Sequence, residues 1–150
     1  MKADLRTEIA RVAREWVGTP YRHQSSVKEQ GTDCLGLLRG VWREVLGTEP
    51  EVAPFYTADW SEQTQKEQLW DAAARHLRPA FIAPTAVGDV VLFRMRLKAV
   101  AKHLAILGDG AQGFPTIIHA YSGAGVVETP LSRAWARRIV AQFEFPDRRV

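Results

Sequence analysis

The chain has 150 residues, 46% of them hydrophobic and 25% charged, with a net charge of +3 and one cysteine. This composition excludes a disordered, collagenous or coiled-coil chain and fits a single domain, residues 1–150, that buries its core without staples. A lone cysteine leaves no internal disulfide, and no apolar run approaches the ~20 residues of a membrane-spanning helix.

The N-terminal stretch MKADLRTEIARVAREWVG is charged and lacks the apolar run of a signal peptide. Synthesis in the cytoplasm is therefore expected, with any export by another route. Leu5, Ile9, Val12 and Trp16 share one helical face, and Gly18 and Pro20 stop that helix. Residues 19–32 are polar and read as a loop. A second helix starts near Asp33, capped by Thr32 or Asp33, and ends at Gly47. Its apolar face holds Cys34, Leu37, Leu38, Val41, Trp42 and Val45. Residues 48–58, with Pro50 and Pro54, read as another loop. Asp59 and Glu62 have capping-box spacing and open a third helix, which carries Leu69, Trp70, Ala73 and Leu77 and closes at Pro79.

After Pro84 the texture changes to short strand-like runs over 90–93, 103–107, 116–119, 126–128 and 139–145, punctuated by glycines. Helices first and strands later predict an α+β domain, with an antiparallel sheet packed on helices. Basic residues cluster at Arg94, Arg96, Lys98 and Lys102, and again at Arg133, Arg137 and Arg138. Such clusters form a solvated face or attract a polyanion such as cell wall or nucleic acid. No nucleic-acid-binding motif accompanies them, so no nucleic-acid partner is expected.

Cys34 falls in the first turn of the second helix. Unpaired backbone N–H groups and the positive end of the helix dipole favour thiolate over thiol there. Taken alone, the residue reads rather as a small buried hydrophobe on that face. Of the four histidines, His103 opens the apolar run HLAILG and His119 closes TIIHA. Two strand-borne histidines can converge on one point, as a cysteine nucleophile with a base and an orienting group requires. Two unrelated polar residues at strand ends fit as well. His76 lies late in a helix and reads as structural, whereas His23, in the loop before Cys34, fits either role. Cys34 with some of the histidines is also a candidate zinc set. The chain has no CxxC, no HxxxH and no second thiol, so neither metal nor cofactor is expected.

The stretches GTPYRHQSS, GTDCLGLLRGVWRE, VGDVVLFRMRLKAVAKHLAILGDG and TIIHAYSGAGVVE resemble, in this order, the NlpC-type cell-wall cysteine peptidases. The resemblance covers about residues 8–145. It implies a reduced papain-like α+β fold with Cys34 as nucleophile, His103 as base and His119 as the orienting third member. It further implies that Tyr21 lies beside the active site as an oxyanion or substrate contact, and that Asp33 recognises a substrate amine. The implied substrate is the peptidoglycan stem peptide, cut near the bond from D-glutamate to diaminopimelate. The DCLGLLRG form resembles the phage and gene-transfer-agent branch, which implies tail proteins as partners and incorporation into a phage-like particle. Leu35 departs from the serine found in well-studied members. An amidase or acyltransferase using the same triad, or a structural tail or wall-binding protein with a relic site, are the other classes. Permuted relatives usually place histidine before cysteine, and Cys34 precedes His103.

Overall fold

The computed structural model describes residues 3–51, 56 and 66–147. Helix α1 (Ala3–Glu15) buries Leu5, Ile9, Val12 and Ala13 along one face. The strand pair β1 (Ser26–Val27) and β2 (Gly31–Thr32) leads into helix α2 (Cys34–Val45), followed by helix α3 (Gln68–His76). Then come β3 (Arg78–Ala80), β4 (Val90–Arg94), β5 (Ala101–Asp109), β6 (Pro115–Tyr121), β7 (Gly125–Pro130), the short helix α4 (Arg133–Ala136) and β8 (Ile139–Glu144). The last six strands form one antiparallel sheet in the order β3-β8-β4-β5-β6-β7. The α+β expectation is met.

The sheet is covered on both faces, which is why β4 and β5 read as nearly continuous apolar runs. On one face Leu92, Leu104, Ile106 and Ile118 pack against Ile9, Leu37, Val41 and Leu69 of the helices. On the other, Val91, Phe93, Ala105, Leu107 and Ile117 lie under Met95, Leu131, Trp135 and Ile139. Ion pairs fix the orientation of α1 on the sheet. Arg6 reaches Asp89 at 2.7 Å and Glu144 at 3.0 Å, and Arg14 reaches Glu128 at 2.8 Å and Asp109 at 2.9 Å. Helices α1 and α2 meet where Gly40 faces Trp16: a Cβ on Gly40 would lie 2.0 Å from the indole.

Several boundaries differ from the sequence reading. The segment 19–32 contains the β1–β2 pair, whose strands are too short to show a period. Helix α3 ends at His76 before any proline, and Pro79 sits in β3, an edge strand, where a missing N–H does little harm. Strand β5 begins two residues before His103, anchored by the Ala101 N–H on Glu67 at 2.8 Å. Strand β6 continues past His119 to Tyr121. Helix α4, capped by Ser132, is too short for periodicity to reveal. The capping box at Asp59 and Glu62, and Pro54, lie outside the described residues.

Candidate active site

Asp33 caps α2, and Thr32 does not. The Gly36 N–H donates to Asp33 Oδ1 at 2.7 Å. Its other oxygen accepts from the Gln24 N–H at 2.7 Å and from the Tyr56 hydroxyl. The cap thus occupies the Gly36 N–H, while those of Cys34 and Leu35 face the Cys34 sulfur.

A break in the sheet admits that helix end. The β5–β6 ladder pairs Ile106–Asp109 with Pro115–Ile118 and stops short of His103 and Tyr121. The Leu104 N–H faces the Cys34 sulfur instead, so the first turn of α2 sits where the two strands cease to pair. His103, near the start of β5, and Tyr121, at the end of β6, border this opening. Tyr21 joins through a single bridge to Thr32.

Cys34, His103, Tyr21 and Asp33 line one pocket of about 330 Å³, together with His23, Tyr56, Lys102 and Tyr121. His119 is not on the pocket wall. It lies behind His103, with His103 Nε2 and His119 Nδ1 2.8 Å apart. His119 Nε2 lies 3.4 Å from the Thr129 hydroxyl. A base at His103 needs one of the two proton assignments that these contacts allow. In it, His103 Nε2–H donates to His119 Nδ1 and His119 Nε2–H points at Thr129, leaving His103 Nδ1 with its lone pair free. Aromatic rings fix both imidazoles. Phe93 stacks on His103 at 5.7 Å, and Trp135 sits 5.6 Å from His103 and 5.2 Å from His119.

Burial sets the resting protonation. It pushes the Cys34 thiol up to about 12, with the Asp33 charge adding to the rise and the three N–H groups at the sulfur opposing it. Burial pulls His103 down to about 3, helped by its histidine neighbour, and His119 down to about 4. The thiolate expected from the helix end alone is therefore not the resting state: desolvation outweighs the dipole. The pair rests as thiol and neutral imidazole. Burial first, then the Cys34 charge that appears only at alkaline pH and the Asp33 charge, hold Tyr21 up at about 12, so it remains a hydroxyl donor.

The sequence reading missed Tyr121, which lines the pocket, and two further residues. Tyr56 is 4% exposed and donates to Asp33 from a segment read only as loop. Trp135 covers the histidine pair, and its signal was a single large aromatic inside the basic run SRAWARR. His23 belongs to the site: its Nε2 lies 3.0 Å from the Tyr56 carbonyl oxygen and its Nδ1 3.8 Å from Asp33 Oδ2. His76 pairs with Glu51 at 3.0 Å, away from the pocket. Leu35 lines a separate apolar hollow between α2 and α3, with Leu38, Trp42 and Leu69. Asp33 accepts three donors, which leaves about one of its four lone-pair sites for a substrate amine.

No protein-family model matches the chain, and no curated protein does. Solved structures do match. The NlpC/p60 domain of the peptidoglycan hydrolase SagA superposes with a TM-score of 0.61 at 20% identity, over 93% of this chain and 98% of that one. The fold is that of the NlpC/P60 domain. An N-acetylmuramoyl-L-alanine amidase from Bacteroides uniformis gives 0.61 at 12% identity, over 97% of this chain and 100% of that one. A lipoprotein-like protein of the NLP/P60 family from Staphylococcus aureus gives 0.57 at 20% identity over 97% of this chain, which spans 42% of that protein's length. On this NlpC/P60 frame, Cys34 heads a helix and the two histidines come from adjacent strands.

Proposed function

We propose that the chain is a cysteine peptidase acting on the peptide part of bacterial cell wall. The observation that carries this reading is the shared pocket: a cysteine in the first turn of α2 beside His103, which His119 holds from behind at 2.8 Å.

The reaction is amide hydrolysis through a thioester. As the Cys34 sulfur attacks the carbonyl carbon, its proton passes to His103 Nδ1, so attack and proton transfer are coupled. The Cys34 N–H and the Tyr21 hydroxyl are the candidate donors to the oxyanion, each worth about 3 kcal/mol of barrier. Collapse breaks the C–N bond, and His103 returns the proton to the departing amine. Water then attacks the thioester, giving a proton to His103, and the C–S bond breaks to regenerate the thiol and release the acid. His119 accepts the His103 Nε2–H throughout and stabilises the imidazolium as it forms. No step calls for a cofactor.

Substrate assignment rests on likeness: the superposed structures include a peptidoglycan hydrolase and a muramoyl-alanine amidase. Within the peptide, the bond we assign is that between D-glutamate and diaminopimelate, with Asp33 taking a substrate amine. The DCLGLLRG form extends the proposal to work inside a phage-like particle beside tail proteins. The likeness to the amidase favours a second reading, cleavage between muramic acid and L-alanine. Purified protein incubated with murein decides between them. Mass spectrometry of the products identifies the bond cut, and Cys34→Ala must release nothing. Equal release by Cys34→Ala would remove the proposal.

A further inference from the structure

We propose that the basic groove beside the catalytic pocket is the binding site for a carboxylate-bearing stretch of the substrate, continuing outward from the amide bond at Cys34. The inference rests on the hydrolase reading above and specifies the substrate class that site takes.

Residues 94–103 and 131–143 contain seven lysines and arginines and no acidic residue, and without those seven the chain would be net negative. These segments are far apart in sequence but meet in the fold, because β4 pairs with β8. The Arg94 N–H bonds the Arg138 carbonyl at 2.9 Å. Between them lies a groove of about 510 Å³, walled by Arg94, Arg96, Arg137 and Arg138 on a floor that includes Met95 and Val140. Met95 also lines the catalytic pocket, so the groove adjoins the site through this one apolar side chain, and Lys102 lines the pocket itself.

The lining suits one chemistry. Guanidinium groups around an apolar floor match carboxylates and short alkyl segments, since a guanidinium fork can take a carboxylate through two hydrogen bonds, although Arg138 Nη1 already donates to the Ala134 carbonyl at 2.8 Å. Glu67 holds one arm of Arg94 at 3.3 Å, while the buried Arg94 Nε has no hydrogen-bond partner among the described residues. The apolar contact with Met95 and the continuity with the pocket favour a peptide already seated at Cys34 over a polyanion lying across the surface.

The test compares a murein stem peptide carrying free carboxylates with the same peptide bearing carboxamides. The wild type is expected to show a KM about tenfold lower for the acidic form, a preference that shrinks as salt is raised. Arg96→Gln with Arg137→Gln is expected to raise KM for the acidic form toward that of the carboxamide, without a matching fall in kcat. Equal KM values for the two peptides in the wild type, or an intact preference in the double variant, would overturn the groove. Binding to Cys34→Ala protein, followed by fluorescence anisotropy, separates this from the hydrolase reading. If neither peptide is cleaved yet the acidic form binds better and the double variant abolishes that, the groove stands and the hydrolase reading falls. An oligonucleotide that displaces the acidic peptide at a lower concentration than the peptide itself would overturn the groove in favour of nucleic acid.

Discussion

Replacing His119 tests the positioning of the base. His103 Nε2 and His119 Nδ1 lie 2.8 Å apart, both rings are buried, and the proposed mechanism has His103 as the donor. In the ground state that bond joins two neutral rings. Once His103 has taken the thiol proton, the donor is a cation, and such a bond is worth about 1.5–3 kcal/mol. Only its excess over the neutral bond, about 1–1.5 kcal/mol, bears on the barrier, so at 1.36 kcal/mol per tenfold His119→Ala should lower kcat by about 5- to 13-fold. It also leaves a buried N–H without an acceptor, a further stability loss of about 1–3 kcal/mol. His119→Asn should recover much of kcat, because its Oδ1 falls near the position of Nδ1. Glutamine carries its oxygen further out and should recover less, and His103→Ala should retain least of all. The assay is steady-state hydrolysis of one defined stem peptide, with a urea midpoint for each variant to establish folding. A folded His119→Ala enzyme with wild-type kcat would refute the reasoning and leave Cys34 and His103 as a dyad.

Because burial raises the Cys34 thiol to about 12, alkylation by iodoacetamide at neutral pH should be slower than that of free glutathione and should climb through alkaline pH; a fast plateau below neutrality would contradict it. His103 and His119, held at about 3 and about 4, refuse protons that the unfolded chain accepts below about pH 6.5. Their contribution to stability is complete above that pH and is lost as pH falls toward the folded values, by at most about 2.7 kcal/mol per pH unit for the pair. Urea midpoints against pH should therefore fall more steeply for the wild type than for His103→Asn with His119→Asn, and equal slopes would count against the neutral pair. Gly40→Ala drives a methyl to within 2.0 Å of the Trp16 ring, which is fixed by its bond to Glu44 at 2.8 Å, and should destabilise by about 1–3 kcal/mol in urea melts. An unchanged midpoint would show that the α1–α2 contact is looser than described.

Most of the frame was legible because its elements are long enough to show a period. Leu5, Ile9 and Val12 mark α1, Leu37 and Val41 mark α2, and the apolar runs of β4 and β5 mark strands buried on both faces. The short pieces were not legible. Strands β1 and β2 and helix α4 complete no period, yet α4 brings Trp135 over the histidines. Cys34, His103 and His119 were individually ambiguous, and only their order along a resembling motif set joined them into a site. What the sequence could not carry was environment. A helix start is visible as Asp33 before an apolar run, and it argues for a thiolate. The burial that reverses this depends on how α2 enters the gap between β5 and β6. The role of Tyr56 was hidden for the same reason: its partner, Asp33, lies 23 residues earlier in the chain.

The proposed mechanism requires that Cys34 form a thioester with the acyl part of a cell-wall peptide. The most direct measurement is intact-mass spectrometry of the protein mixed with a defined stem peptide, quenched in acid within the first turnovers and then digested to locate any adduct. The account predicts an adduct equal in mass to the acyl fragment, on the peptide containing Cys34, absent from Cys34→Ala and accumulating in His103→Ala only if acylation outlasts loss of the base. Cleavage of the stem peptide with no adduct on Cys34, or with an adduct at another residue, would contradict it.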